Sequence, residues 1–114
     1  MKNSFLWLDK IYISSNLHMP INAIKKMVDF GLYPRPIYLV VLSENDGEQF
    51  EIISTLLLKL PITKPKEYKV VGVGKGLYHT RKIMEDIYND ILPQLDEYNA
   101  REYFERQFEQ MREK

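Results

Sequence analysis

The residues most suggestive of chemistry lie in one run, Val70-Val71-Gly72-Val73-Gly74-Lys75-Gly76-Leu77-Tyr78-His79-Thr80-Arg81-Lys82. It passes from an apolar strand through three alternating glycines into a helix, a setting in which backbone N–H groups can cradle an anion. Glycine lets the backbone approach a phosphate closely, and Lys75 adds a point charge. Gly74, Lys75, Gly76, His79 and Arg81 are therefore the candidate anion-binding residues, within a phosphate- or nucleotide-binding segment spanning 72–81. The run matches neither named fingerprint: it has no G-x-G-x-x-G spacing and no GxxxxGK followed by Ser or Thr. A competing reading makes Gly72 and Gly74 spacers for close helix–strand packing and pairs Arg81 and Lys82 with Glu85 and Asp86.

Other chemistries find less support. The chain has no cysteine and only two histidines, His18 and His79, without a His-Glu-x-x-His arrangement, so no metal site is expected. Disulfides and cysteine nucleophiles are excluded outright. No Gly-x-Ser-x-Gly elbow occurs, and Ser4, Ser14, Ser15, Ser43 and Ser54 fall where surface, turn or strand residues belong. Glu85-Asp86 and Asp96-Glu97 are neighbours in helical sequence and point to different sides, whereas acid–base work needs two groups held across a cleft. No catalytic residue and no cofactor are expected, and an enzyme is the less favoured class.

Charge is unevenly spread along a chain of zero net charge. Between Lys59 and Lys82 seven basic residues face one acid, Glu67; from Ile83 to Lys114 nine acids face four bases. Cations near a helix start oppose its macrodipole, and a local rule broken this way often marks a functional site. The acidic end could screen the basic segment within one molecule or meet it across a dimer contact. Tyr68 and Tyr78 flank the basic stretch and invite a nucleic-acid reading, but no RRM signature, GXXG loop or helix-turn-helix pattern accompanies them.

These side chains need elements to hold them. Residues 10–14 read as a strand with Ile11 and Ile13 on one face and Tyr12 on the other, while Phe5 to Leu8 fits a strand or a helical turn. Residues 20–30 form a helix, with Pro20 at its first position, Gly31 as its stop, and a stripe of Ile21, Ile24 and Val28. Tyr33-Pro34-Arg35-Pro36 is an extended connector. Ile37 to Leu42, apolar throughout, belongs at a sheet centre with both faces covered. Asp46-Gly47 signals a hairpin returning through 49–53, followed by a short helical segment over 54–59. If 48–59 were instead one continuous helix, a parallel α/β sheet would follow.

The prolines of 60–67 mark a loop. A strand beginning at Tyr68 then enters a helix over 77–92, striped by Leu77, Thr80, Met84, Ile87 and Ile91 and closed by Pro93. The final stretch carries Phe104, Phe108 and Met111 at i, i+4 and i+7 among charges. Too poor in core contacts to stand alone, such a helix must dock on its own domain or across an interface, so these three are also candidate interface residues.

The expectation is one α+β domain over 1–93, with a small mixed or antiparallel sheet and helices packed on one side of it. The charged amphipathic helix within 94–114 docks in cis or on a partner. With 114 residues, 45% hydrophobic and 28% charged, the chain can bury a core of its own, and intrinsic disorder is disfavoured. Its longest apolar run is six residues, far below the ~20 of a membrane helix, and Asp9 and Lys10 interrupt the N-terminal apolar run too early for an export signal. The function expected is a non-catalytic cytoplasmic binding or interaction module, self-associating as a homo-oligomer. The alternative is a module for a phosphate-containing small molecule. Nucleic acid and membrane are disfavoured as partners.

Overall fold

The computed structural model describes residues 3–32, 37–45, 48–59, 66–94 and 99–112. Four strands, β1 (Ser4–Ile13), β2 (Ile37–Leu42), β3 (Phe50–Ser54) and β4 (Glu67–Lys75), form one mixed sheet in the order β1-β4-β2-β3. Three helices, α1 (Ile21–Asp29), α2 (Leu77–Ile91) and α3 (Ala100–Arg112), complete a small α+β fold. β2 pairs antiparallel with both β3 and β4, whereas β1 runs parallel to β4. The connector 33–36, the Asp46-Gly47 tip and residues 60–65 lie outside the described residues.

β2 explains the layering. Ile37, Leu39 and Val41 enter one apolar cluster, and Val40 and Leu42 enter the other. A strand apolar at both parities needs cover on both faces. α1 supplies it on one side through Ile24 and Val28; α2 and α3 supply it on the other through Ile83, Ile87, Ile91, Phe104 and Phe108. The helices thus cover both faces, which corrects the one-sided packing expected from the order of elements. The indole Nε1 of Trp7 donates to Asp29 Oδ1 at 3.1 Å and ties α1 to the edge strand.

Several elements differ from their sequence signals. β1 begins at Ser4 rather than residue 10, so Phe5 to Leu8 is strand. Phe5 and Trp7 pack toward α1 while Leu6 and Leu8 pack toward α2 and α3. The ladder breaks between Trp7 and Tyr12, which pair with Val70 and Gly72; four residues of β1 lie opposite Val71 alone. Asp9 and Lys10 sit exposed in that interruption, the kind of charge that discourages further pairing at a sheet edge. The partner of β2 ends at Ser54, followed by a 3₁₀ turn at Leu57–Lys59. In α2 the buried face is Thr80, Ile83, Ile87 and Ile91, with Leu77 39% exposed and Met84 half-buried. Leu77 and Met84 stand at one margin of that face; Ile83 occupies the other.

α3 docks within the chain. Phe104 is 1% and Phe108 2% exposed, and Phe50 meets both Tyr88 and Phe104 edge-on, with ring centroids 5.5 and 5.9 Å apart. Met111 is partly buried against the same cluster. The helix start is capped from two sides: Asn99 Oδ1 accepts from Glu102 N at 2.9 Å, and Gln49 Oε1 from Arg101 N at 3.0 Å. The Arg101 guanidinium reaches the carbonyls of Ser43 and Asn45 at 3.2 and 3.0 Å, locking α3 to the β2–β3 hairpin.

Candidate functional site

β1 and β4 are adjacent and parallel, yet the chain leaves them toward opposite faces, to α1 after β1 and to α2 after β4. In open α/β sheets such a parting leaves a crevice at the carboxyl ends of the strands, where ligands habitually bind. Here it is filled by a polar cluster. Ser14 N donates to Val73 O at 3.1 Å; its hydroxyl donates to Asn16 Oδ1 at 2.7 Å and accepts from Lys75 N at 3.0 Å. Asn16 Nδ2 donates to Lys75 O at 3.0 Å and lies 3.3 Å from His79 Nδ1.

The three glycines differ in role. A Cβ on Gly74 would collide with Thr80 Oγ1 and stand 2.8 Å from Thr80 Cα and Cβ, so Gly74 lies directly beneath the first turn of α2. A Cβ on Gly72 would meet Ile83 Cγ2 at 3.2 Å and the Tyr12 carbonyl at 3.3 Å. Both are spacers that bring helix and strand together, as the packing reading expects. Gly76 is the exception: with φ +81° and ψ 149° it stands at the helix N-cap in backbone territory that side-chain-bearing residues avoid. Its carbonyl accepts from Thr80 N at 3.1 Å and Thr80 Oγ1 at 2.7 Å.

The structure therefore brings Lys75, Gly76 and His79 together around Asn16. Lys75 has an exposed side chain, and His79 is half-buried. No acidic residue occupies the first turn of α2, whose opening N–H groups have no helical acceptor. Arg81 is exposed and has no hydrogen-bond or ionic partner among the described residues; Lys82 extends over the Tyr78 ring, 5.5 Å from its centroid. The expected pairing of Arg81 and Lys82 with Glu85 and Asp86 is not formed. The arrangement offers hydrogen-bond donors and positive charge.

Two members of the cluster escaped sequence reasoning, Ser14 and Asn16. The Ser14-Ser15-Asn16 run does carry a turn signature. Its reach to Lys75 depends on a strand pairing that joins distant parts of the chain. Among the described residues no group of three His, Asp or Glu converges as a metal site, and no helix is long and apolar enough to cross a membrane. No protein-family model, curated protein or solved structure matches the chain.

Proposed function

We propose that the chain is a non-catalytic binding module, acting in the cytoplasm, that takes a small phosphate-bearing ligand against the polar cluster at the carboxyl ends of β1 and β4. The observation carrying this reading is the parting of two adjacent parallel strands to opposite faces. It sets Lys75, Gly76 and His79 beside the unpaired start of α2, in a segment where basic residues outnumber acids seven to one. The hydrogen bonds of Ser14 and Asn16 hold the two strand ends in register, so the donors are preorganised before any ligand arrives.

A ligand that binds only the folded state raises its melting temperature with concentration. Inorganic phosphate or a nucleoside diphosphate should do so with the full chain, and Lys75→Ala combined with His79→Ala should abolish the rise. Equal rises in both proteins would assign the effect to general salt action and remove this reading. Self-association is a second reading, favoured by β3, a terminal strand with one charged residue, Glu51, and no strand beyond it among the described residues. Sedimentation velocity tests it: a concentration-independent monomer would sink it.

A further inference from the structure

The two edges of the sheet are built differently. β1, at one edge, carries Asp9 and Lys10 exposed in the break of its ladder, the charge and irregularity that keep an edge from pairing with another chain. β3, at the other, is Phe50-Glu51-Ile52-Ile53-Ser54, with an unbroken register against β2 and no proline. Its single charge does not guard the edge. Glu51 Oε1 accepts from Asn45 Nδ2 at 3.0 Å and from Ser43 Oγ at 3.2 Å, which turns the carboxylate back toward the end of β2.

The ladder decides which backbone groups of β3 face outward. Ser43 N donates to Gln49 O at 3.1 Å and Thr55 N to Ile37 O at 3.2 Å, so the hydrogen-bonded pairs of β2 and β3 fall at odd-numbered positions. Antiparallel ladders alternate, and the register runs without a break from Tyr38–Ser54 to Leu42–Phe50. The N–H and C=O groups of Glu51 and Ile53 therefore turn to β2. Those of Phe50, Ile52 and Ser54 turn away from the sheet and have no backbone partner among the described residues. Apolar surface borders this edge on both faces. On the side of α2 and α3, Ile52 is half-buried, Tyr88 meets the Phe50 ring at 5.5 Å, and the half-buried Met84 stands one turn before Tyr88. On the side of α1, Ile53 is half-buried as well.

Ile52 is the middle residue of the strand, and both of its backbone groups point outward. A two-fold axis at this position sets Ile52 against Ile52 of a second copy as a hydrogen-bonded pair, with Phe50 opposite Ser54 and Glu51 opposite Ile53. Every outward N–H of one copy then meets an outward C=O of the other, and no like charges confront one another. This self-complementarity selects a second copy of the chain as the occupant. We infer that β3 pairs antiparallel with β3 of a second copy about Ile52, joining the two sheets into one. The inference rests on the self-association reading and gives it an interface.

Sedimentation velocity of the full chain over a range of concentrations, with amide hydrogen exchange read residue by residue, tests it. A dimer should grow in with concentration, and exchange at Ile52 should slow at least tenfold as it does, while Glu51 and Ile53 stay protected throughout. Ile52→Lys and Ile52→Glu, each checked for folding by circular dichroism, should be monomers separately and a dimer when mixed, because a two-fold axis at this residue brings the two side chains together. If either charged variant fails to fold, the exchange pattern of the unmodified chain decides alone. Self-association undiminished in the separate variants, or not restored by mixing them, would overturn this pairing and leave self-association standing. Protection of the Ile52 amide in the monomer would show the edge already covered and overturn the pairing too. A monomer at every concentration would overturn both readings and leave the edge to a different polypeptide.

Discussion

Gly74 and Gly76 stand two residues apart and are glycine for unlike reasons. At Gly74 the constraint is space, because Thr80 occupies the position of a Cβ; at Gly76 the space is open and the constraint is φ. Gly74→Ala should therefore act as overpacking, costing about 1–3 kcal/mol, and truncating the neighbour in a Gly74→Ala/Thr80→Ala double variant should recover part of that loss. Gly76→Ala should cost about 1–3 kcal/mol through backbone strain, and no truncation of Thr80 should relieve it. Urea denaturation of the wild type, the three single variants and the two double variants separates the mechanisms; equal rescue at both sites would refute the assignment. Tyr12 supplies a second residue-scale test. Its folded pKa of about 12 lies above the 10.0 of an unfolded tyrosine, so the neutral phenol favours folding. That contribution is fully present below pH 10 and is lost as pH rises from 10 toward 12. Burial raises Tyr88 in the same direction. Tyr12→Phe should flatten the alkaline fall in urea midpoint, and Asp90→Asn should shrink it.

At the scale of elements, α3 is the clearest case of a helix made by its contacts. Its surface is densely charged, so its stability comes from burying Phe104 and Phe108 and from the capping of its start by Asn99 and Gln49. Phe108→Ala should cost about 3–5 kcal/mol in urea denaturation. A chain ending at Pro93 should lose cooperative unfolding, since Leu8, Phe50 and Ile91 would surrender their cover. A truncated chain of unchanged stability would show that the rest of the molecule does not need the helix. The periodicity of Phe104, Phe108 and Met111 announced burial but contained nothing about which surface would provide it. Ile37 to Leu42 and the antiparallel return at 50–54 were legible because both signals are local: an unbroken apolar run and the Asp-Gly turn. The first half of β1 was ambiguous because Phe5 to Leu8 is too short to separate strand from helix without its partner. Ile83 was overlooked because the stripe through Leu77 and Met84 follows one margin of the buried face. Of the crevice, the strand-to-helix glycine turn was readable. The contribution of Asn16 was not, since it follows from a pairing between remote segments.

Across the whole molecule, no acid of the acidic end pairs with a base of the basic segment among the described residues. The ion pair joining them, Arg112 to Glu67 at 3.0 Å, runs against that polarity: a base of the acidic end meets the one acid of the basic segment. Both partners are about half exposed, and such pairs contribute about 0–1 kcal/mol. Raising NaCl from about 0.05 to 0.5 M should thus move the melting temperature far less than Phe108→Ala does, because screening leaves apolar burial intact. A large drop with salt would return the tail to electrostatic docking. The parallel pairing of β1 with β4 has a temporal consequence. Ser4 faces Glu67, more than sixty positions later, whereas Leu42 faces Phe50 only eight positions on. During synthesis at about 5–20 residues per second, β1 waits roughly 3–13 s for its sheet neighbour to be made, while the hairpin closes almost as soon as it exists. Through that interval Phe5, Trp7 and Tyr12 belong to an unpaired aromatic strand, so the nascent chain is most vulnerable to aggregation at the end that is made first.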